Sequence, residues 1–160
     1  MAAIQAGRFT HQHDGDLVVF LIGMRVNRWR QVRAWWPTFT AMPTMLKELY
    51  ADPSSGLLGH RMSVSLDGPL LVQYWASLAQ LLAYAHAPDR AHRPAWQAFN
   101  AGARKAGPVV GIWHETFVVP AGGHESNYSG MPVQGLAKAT ASVPIGKRTE
   151  TASQRLAGAS

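Results

Sequence analysis

A nearly unbroken apolar stretch, residues 17–26, predicts a strand that is apolar on both faces. Side chains alternate between the two sides of a strand. Phe20 and Ile22 therefore lie on one face, and Val19 and Leu21 lie on the other. Both faces must be covered by other parts of the protein or by a partner, because neither is polar enough to face water along its whole length.

A second strand of this kind is predicted over residues 111–119, which are rich in β-branched and aromatic side chains. Gly107-Pro108 precede it and Pro120 follows it, and these residues break regular structure. Alternation places His114 on one face and Glu115 on the other. An ionisable group in an apolar strand must find a hydrogen-bond partner or shift its pKa, so both a structural and a chemical role stay open for each.

Between these strands the spacing of apolar residues becomes that of helices. Apolar residues recur at intervals of three and four from residue 29 to residue 51, and Pro37 and Pro43 predict that this helix is kinked or split. An Asp67-Gly68 turn predicts a hairpin. The full predicted order is strand 17–26, helix 29–51, strands 57–66 and 70–75, a helix capped by Ser77 that ends before Pro88, a helix over 94–104 that buries Trp96 and Phe99, and strand 111–119.

This order predicts an α+β fold of the ferredoxin-like type, in which a four-stranded antiparallel sheet carries helices on one face. Helices on one face leave the other face of the sheet uncovered, although the first and last strands are apolar on both. We therefore expect the second face to pack against another copy of the chain, which would give a homodimer with a barrel-like core, a dimeric α+β barrel.

The 160 residues fit one domain, predicted over residues 16–120. Residues 1–15 show little apolar periodicity and predict an N-terminal arm. Residues 121–160 are rich in Gly, Pro and Ser and predict an extension that could wrap around the partner subunit. No metal site is predicted, because His11 and His13 in the arm are only two ligands and the remaining histidines lack metal-site spacing. The structural interpretation, exposed or capping, is preferred for His60, His86 and His124.

Composition removes several classes of function. The chain has no cysteine, so thiolate nucleophiles and sulfur-ligated metals are excluded. The formal net charge is +6, but apart from clusters in residues 25–33 and in the C-terminal tail the basic residues are scattered, so no continuous basic stripe is visible and no nucleic-acid partner is expected. No signal-peptide pattern or membrane-spanning stretch is visible, which favours a cytoplasmic protein without a membrane partner. No P-loop, dinucleotide fingerprint or Ser-His-Asp order occurs.

Candidate site residues follow from the ionisable and aromatic positions of these strands and helices. His114 is the candidate general base, because imidazole is the side-chain group best suited to proton transfer near neutral pH. Arg25 and Asn27, at the end of the first strand, are candidates to stabilise a developing oxyanion. The candidate substrate-binding residues of a hydrophobic pocket are Tyr74, Trp75, Tyr84, Trp96 and Glu115. Ordinary core packing is the commoner role of such aromatic residues.

Five segments together resemble the dimeric α+β barrel superfamily of the antibiotic-biosynthesis-monooxygenase type. Within it, they are most similar to a group of bacterial monooxygenase family proteins related to the fumagillin-pathway monooxygenase. The segments are residues 18–29, 41–46, 73–77, 92–100 and 111–116, and with Met131-Pro132 the resemblance spans residues 9 to about 136. As a set these segments are specific for the group, whereas each alone is weak.

The resemblance implies three kinds of function. The first is a monooxygenase-like enzyme that needs no cofactor and oxidises a small hydrophobic substrate, aromatic or polyketide-like, in a pocket between sheet and helices. The second is an enzyme that uses haem b, either a dehydratase of the aldoxime-dehydratase type or a haem oxygenase, for which His92 is the candidate ligand. The third is a non-catalytic protein that binds a small molecule. Fold alone does not choose among them.

Overall fold

The computed structural model describes residues 2–157, which are organised around a four-stranded antiparallel sheet. This large sheet has the strand order β3-β4-β2-β5, and the predicted ferredoxin-like α+β architecture is confirmed. A single 3-10 turn, Pro53–Ser55, joins α1 to β3. Along the chain the elements are β1 (Arg8–Gln12), β2 (Leu17–Val26), α1 (Val32–Ala51), β3 (Leu57–Ser65), β4 (Gly68–Trp75), α2 (Leu78–His86), α3 (His92–Ala106), β5 (Val110–Val119), β6 (Tyr128–Ser129), α4 (Gly135–Ala139), β7 (Ala141–Pro144) and α5 (Ala152–Ala157).

Helices α1, α2 and α3 lie on one face of the large sheet. Val18 of β2 and Trp75 of β4 form a buried cluster with Leu49 of α1 and Leu81 of α2. A second buried cluster lies at the other end of β2, where Trp35 of α1 and Phe99 of α3 pack against Met24, Val26 and Val110. These two clusters hold the helices to the sheet at both ends of β2, and the space between them remains open to form a cavity.

Helix α1 continues through Pro37 and Pro43, so the predicted division into two pieces does not occur. Each proline removes one backbone donor, and local propensity alone would favour a break. Packing against the sheet and α3 supplies the stability instead, as it does for most helices in globular proteins. The Thr40 hydroxyl also donates hydrogen bonds of 3.2 Å to the carbonyls of Trp36 and Pro37.

The ends of several elements follow the predicted turn and capping residues. The Ser77 hydroxyl caps α2 and accepts a hydrogen bond of 3.2 Å from the backbone N–H of Gln80. Gly68 has φ of +135°, and a Cβ there would collide with the carbonyl oxygen of Met24. Helix α3 begins at His92, which places Pro94 in the first turn, where proline is tolerated. Trp96, predicted to be buried, is half exposed.

The predicted arm and extension pair with each other in a second sheet. Strand β1 lies between β6 and β7, with Phe9 opposite Tyr128 and His11 opposite Ser142. Phe9 is fully buried, and its ring stacks on Tyr128 with centroids 5.0 Å apart. The strands have 5, 2 and 4 residues, which is too short to leave a clear periodic signal. Residues 121–157 therefore fold onto their own chain.

Two histidines join β1 to the loop between β5 and β6. His11 Nε2 lies 2.8 Å from His124 Nδ1, and His124 Nε2 lies 3.0 Å from the carbonyl oxygen of Gly15. Because a carbonyl can only accept, His124 carries its proton on Nε2 and accepts from His11 through Nδ1. His11 Nδ1 in turn accepts from the Ser126 hydroxyl at 2.9 Å. His124 is thus buried, contrary to the expected exposed or capping role.

The face of the large sheet opposite the helices is only partly covered. Helix α4 packs against β3, where Ala139 lies over Gly59. On β5, Trp113 lies across Gly23 of β2, and a Cβ at residue 23 would be 2.6 Å from the indole ring. Trp113 and Phe117 of this face are 42% and 50% exposed. Within residues 2–157, no helix has the length and hydrophobicity needed to cross a membrane.

Candidate functional site

A cavity of about 420 Å³ lies between the large sheet and helices α1, α2 and α3. Its walls are almost entirely apolar, and four of the chain's six methionines contribute to them: Met24, Met42, Met45 and Met62. Cavities of this size commonly hold small ligands. Methionine side chains are flexible and polarizable, so they can adapt to the outline of a bound molecule. The cavity therefore has the size and lining of a site for a small hydrophobic ligand.

Among residues 2–157, only two ionisable side chains line this cavity, His114 and His92. His114 lies on β5 directly opposite Ile22 of β2 and shares the helix-facing side of the sheet with it. Its ring is 5.6 Å from the ring of Phe20, measured between centroids, and one side of the residue remains exposed. Within residues 2–157 no hydrogen bond holds its imidazole. Both ring nitrogens are thus available to a ligand or to water.

His92, the first residue of α3, reaches the cavity from the opposite wall. Its Nδ1 atom is buried and has no hydrogen-bond partner among the described residues. A buried polar atom without a partner carries a free-energy cost of about 1–3 kcal/mol, so such atoms are rare unless a ligand or water completes them. Nδ1 of His92 is therefore available to form a hydrogen bond with a small molecule or with water.

A carboxylate behind His92 fixes the start of α3. Glu48 of α1 accepts hydrogen bonds from the Tyr84 hydroxyl at 2.9 Å and from the backbone N–H of Ala91 at 3.0 Å. Burial, and then the adjacent Glu48 carboxylate, raise the pKa of Tyr84 and keep its phenol protonated as the donor. Arg90 joins this group through Asp52 at 2.6 Å. The network links α1, α2 and α3 and thereby positions His92.

One protein family matches most of the chain. The family described as Monooxygenase af470-like matches residues 17–136, three quarters of the chain, including every strand of the large sheet and the three helices on it. The chain belongs to this family. A monooxygenase-type activity is the function that membership supports.

Three solved structures are similar to this Monooxygenase af470-like protein. SnoaB, a cofactor-independent oxygenase from Streptomyces nogalater, is 15% identical over 64% of this chain and 91% of that chain, with a TM-score of 0.45. A dimeric protein of unknown function with a ferredoxin-like fold, from Bacteroides fragilis, is 11% identical over 64% and 95%, with a TM-score of 0.45. A dimeric ferredoxin-like protein of unknown function, from Jannaschia sp. CCS1, is 19% identical over 62% and 97%, with a TM-score of 0.43. No curated protein sequence matches the chain.

This member of the Monooxygenase af470-like family brings three of its predicted site residues to the cavity. They are His114, His92 and Trp96. Two other predicted residues stand beside the cavity without lining it. Trp75 is buried in the core, where its Nε1 donates to the Gln73 side-chain oxygen at 2.9 Å. Tyr84 bonds Glu48, so it supports the site from behind.

The remaining predicted residues lie on the other face of the sheet or at its end. Arg25 pairs with Asp67 at 3.1 Å and is exposed. The Asn27 amide donates to the carbonyl of Pro108 at 3.1 Å. Tyr74 and Glu115 alternate with cavity-lining neighbours and therefore point away from the helices. The expected contact of Arg25 and Asn27 with His114 does not occur. His114 shares the helix-facing side of the sheet with Ile22, and alternation along β2 places Arg25 on the other side.

Sequence reasoning missed the contribution of α1 to the site. Phe39, Met42, Met45 and Leu46 line the cavity, together with Thr38. Their spacing of three and four was visible and predicted a buried helix face, but it did not distinguish a packed face from one that borders an empty space. Methionine content was the available signal, since residues 42 and 45 are both methionine.

Proposed function

We propose that this protein is a monooxygenase that oxidises a small hydrophobic molecule, aromatic or polyketide-like, inside the cavity between the sheet and the helices. The observation that carries the proposal is the lining of the cavity, which is apolar except for two histidines and two threonines. A hydrophobic ligand would fill the space, and the histidines would provide the polar contacts that orient it.

The chemistry assigns different roles to the two histidines. His114 accepts a proton from an acidic C–H or O–H of the substrate and so generates an electron-rich anion. His92 binds a substrate oxygen through its Nδ1 atom, which has no hydrogen-bond partner among the described residues. A carbanion of this kind can react directly with dioxygen. When a CH₂ group becomes a carbonyl, one oxygen atom stays on the substrate and the other leaves as water with both hydrogens, so no external reductant is required.

The residues that line the cavity do not fit haem well. A histidine that binds iron usually donates its second ring nitrogen to a carboxylate, a carbonyl or water, which fixes the ring. His92 lacks such a partner in the described structure. Haem also carries two propionates, and neither Lys nor Arg lines this cavity. The cofactor-free reaction needs only groups that the cavity contains.

Oxygen uptake with a tricyclic anthrone, a compound with an acidic CH₂ group, tests the proposal. Wild-type protein should consume dioxygen and form the quinone, and His114→Gln should lower the rate by about 10²–10⁴-fold because the general base is lost. His86→Gln, outside the cavity, is the matched control. A Soret band in protein purified from haem-supplemented culture would contradict the cofactor-free reaction. Ligand-induced thermal stabilisation without any turnover would instead identify a binding protein.

The homodimer is proposed on the uncovered face of the sheet. Trp113 and Phe117 stand there on β5, beside Val19 and Leu21 of β2, which are only half buried. Large exposed apolar side chains on a contiguous sheet face are typical of subunit interfaces. Two copies joined through this face would leave the cavity and its three helices on the outside of the dimer.

A further inference from the structure

The mouth of the cavity is surrounded by exposed apolar side chains. Four of its lining residues, Phe39, Met62, Leu82 and Trp96, are 42%, 63%, 45% and 48% exposed. They come from α1, β3, α2 and α3, which are four of the seven elements that line the cavity. Entry of a ligand from water does not require large apolar side chains on the outer side of the rim. Such exposed apolar groups are typical of a surface that contacts a partner.

Helix α1 extends this apolar rim along the surface. Val32 and Trp36 lie seven and three residues before Phe39, at helical spacing, and both are about half exposed. Trp36 stacks on Phe39 with ring centroids 5.6 Å apart. Trp29, just before the helix, is 58% exposed. Helix α1 therefore has a second apolar face besides the one that packs on the sheet, and nothing within residues 2–157 covers it.

Positive charge borders this second face. Arg28, Arg30 and Arg33 are exposed, and none of them forms an ion pair within the described part of the chain. The sequence contains no Asp or Glu between Asp16 and Glu48. The apolar face of α1 is thus flanked by cations without any local carboxylate to neutralise them.

We propose that this surface, formed by the cavity rim, Trp29, the outer face of α1 and the three arginines, docks on an anionic lipid membrane. Tryptophan prefers the interface between headgroups and acyl chains, and arginine is attracted to anionic headgroups. An amphipathic helix with this composition lies in the membrane surface and does not cross it. Docking there would open the cavity towards the bilayer, where hydrophobic molecules are concentrated.

A membrane partner differs from the expectation drawn from the sequence, which favoured no membrane partner because no stretch is long and apolar enough to span a bilayer. A nucleic acid would also be attracted to the arginines, but it needs free aromatic faces on which bases can stack. The rings of Trp35, Trp36 and Phe39 pack against one another instead. The proposal does not depend on the catalytic chemistry, because docking requires neither His114 nor His92.

Co-sedimentation with vesicles tests the docking surface directly. Wild-type protein should pellet with vesicles of phosphatidylcholine and phosphatidylglycerol and much less with phosphatidylcholine alone, and its tryptophan emission should shift to shorter wavelength on binding. Replacing all three arginines, as Arg28→Gln, Arg30→Gln and Arg33→Gln in one variant, should weaken partitioning by about tenfold or more. Equal sedimentation of this variant and the wild type would overturn the proposal.

Two matched controls separate docking from general effects of charge and hydrophobicity. A variant with Lys138→Gln, Lys147→Gln and Arg148→Gln removes three charges from the opposite part of the chain and should still bind. Trp36→Ser should reduce binding, whereas Ile4→Ser, at another exposed apolar residue, should not. The proposal fails if wild-type protein sediments with neither kind of vesicle, or if it binds single-stranded DNA and not vesicles. It also fails if Trp36→Ser reduces vesicle binding only because it dissociates an oligomer.

Discussion

His11→Gln tests the histidine pair that joins β1 to the loop between β5 and β6. The pair requires neutral rings, since His11 donates to His124 and accepts from Ser126. Burial, followed by the neighbouring His124 and His13, lowers the pKa of His11 from its usual 6.5 to about 4, while Glu125 opposes the change. Glutamine is neutral at every pH, so the variant removes this titration.

The size of the effect follows from the two pKa values. Because the pKa of His11 is lower in the folded protein than in the unfolded chain, the unfolded state binds more protons between pH 6.5 and about pH 4. The contribution of neutral His11 to the free energy of unfolding is therefore fully present above pH 6.5 and is lost as the pH falls through this window. At about 1.4 kcal/mol for each pKa unit, the loss is about 3 kcal/mol. A typical domain is stable by only about 5–15 kcal/mol, so the loss is easily measured.

Urea denaturation at several pH values across this window is the appropriate assay. The informative quantity is the fall in the free energy of unfolding with pH, compared between wild type and variant, because glutamine also changes packing at every pH. We expect the wild type to lose about 3 kcal/mol more than His11→Gln between pH 6.5 and 4. His86→Gln serves as the control for removing an exposed histidine.

Parallel pH profiles for wild type and His11→Gln would refute the reasoning. So would a nuclear magnetic resonance titration in which His11 becomes protonated near pH 6.5. Burial also lowers the pKa of His60, with a smaller contribution from Lys138, so the wild type loses some stability with acid through that residue as well. This second loss is common to both proteins and cancels in the comparison.

Two further substitutions test the fold and the assembly. Ser77→Ala removes the hydroxyl that caps α2 and should lower the free energy of unfolding by about 1 kcal/mol, seen as a lower urea midpoint with an unchanged slope; Ser153→Ala, on the terminal helix, should have little effect. Phe117→Asp places a charge on the exposed face of β5 and should convert the proposed dimer to a folded monomer in light scattering; a monomeric wild type, or a dimeric variant, would exclude this interface.

The large sheet could be predicted from sequence because its signals are local. The strand over residues 17–26 coincides with β2, and the Asp67-Gly68 turn and the Ser77 cap were read from residue type alone. Their order then limited the fold to one common topology. The continuity of α1 was not predictable in this way, since two prolines argue for a break and only tertiary packing overrides them.

The second sheet and its histidine pair were beyond such reasoning. His11 and His124 are 113 residues apart, and neither stands in a periodic segment. The strands β6 and β7 are too short to be recognised before their partner β1 is known. The only sequence signal in this region was its Gly- and Ser-rich composition. That composition favours a loop, but it does not show whether the loop packs against the rest of the protein.

Which ionisable group of β5 enters the cavity depends on strand register. Ile22 pairs with His114, whereas a slip by one residue would turn Glu115 towards the helices. Trp113 fits over Gly23 on the opposite face, and only glycine leaves room for the indole. If β5 slipped by one residue, Trp113 would lie opposite Ile22 or Met24, whose side chains would replace the hydrogen of Gly23. The catalytic proposal for His114 therefore depends on packing at the face where the second subunit is proposed, so loss of that packing should disturb the site as well as the assembly.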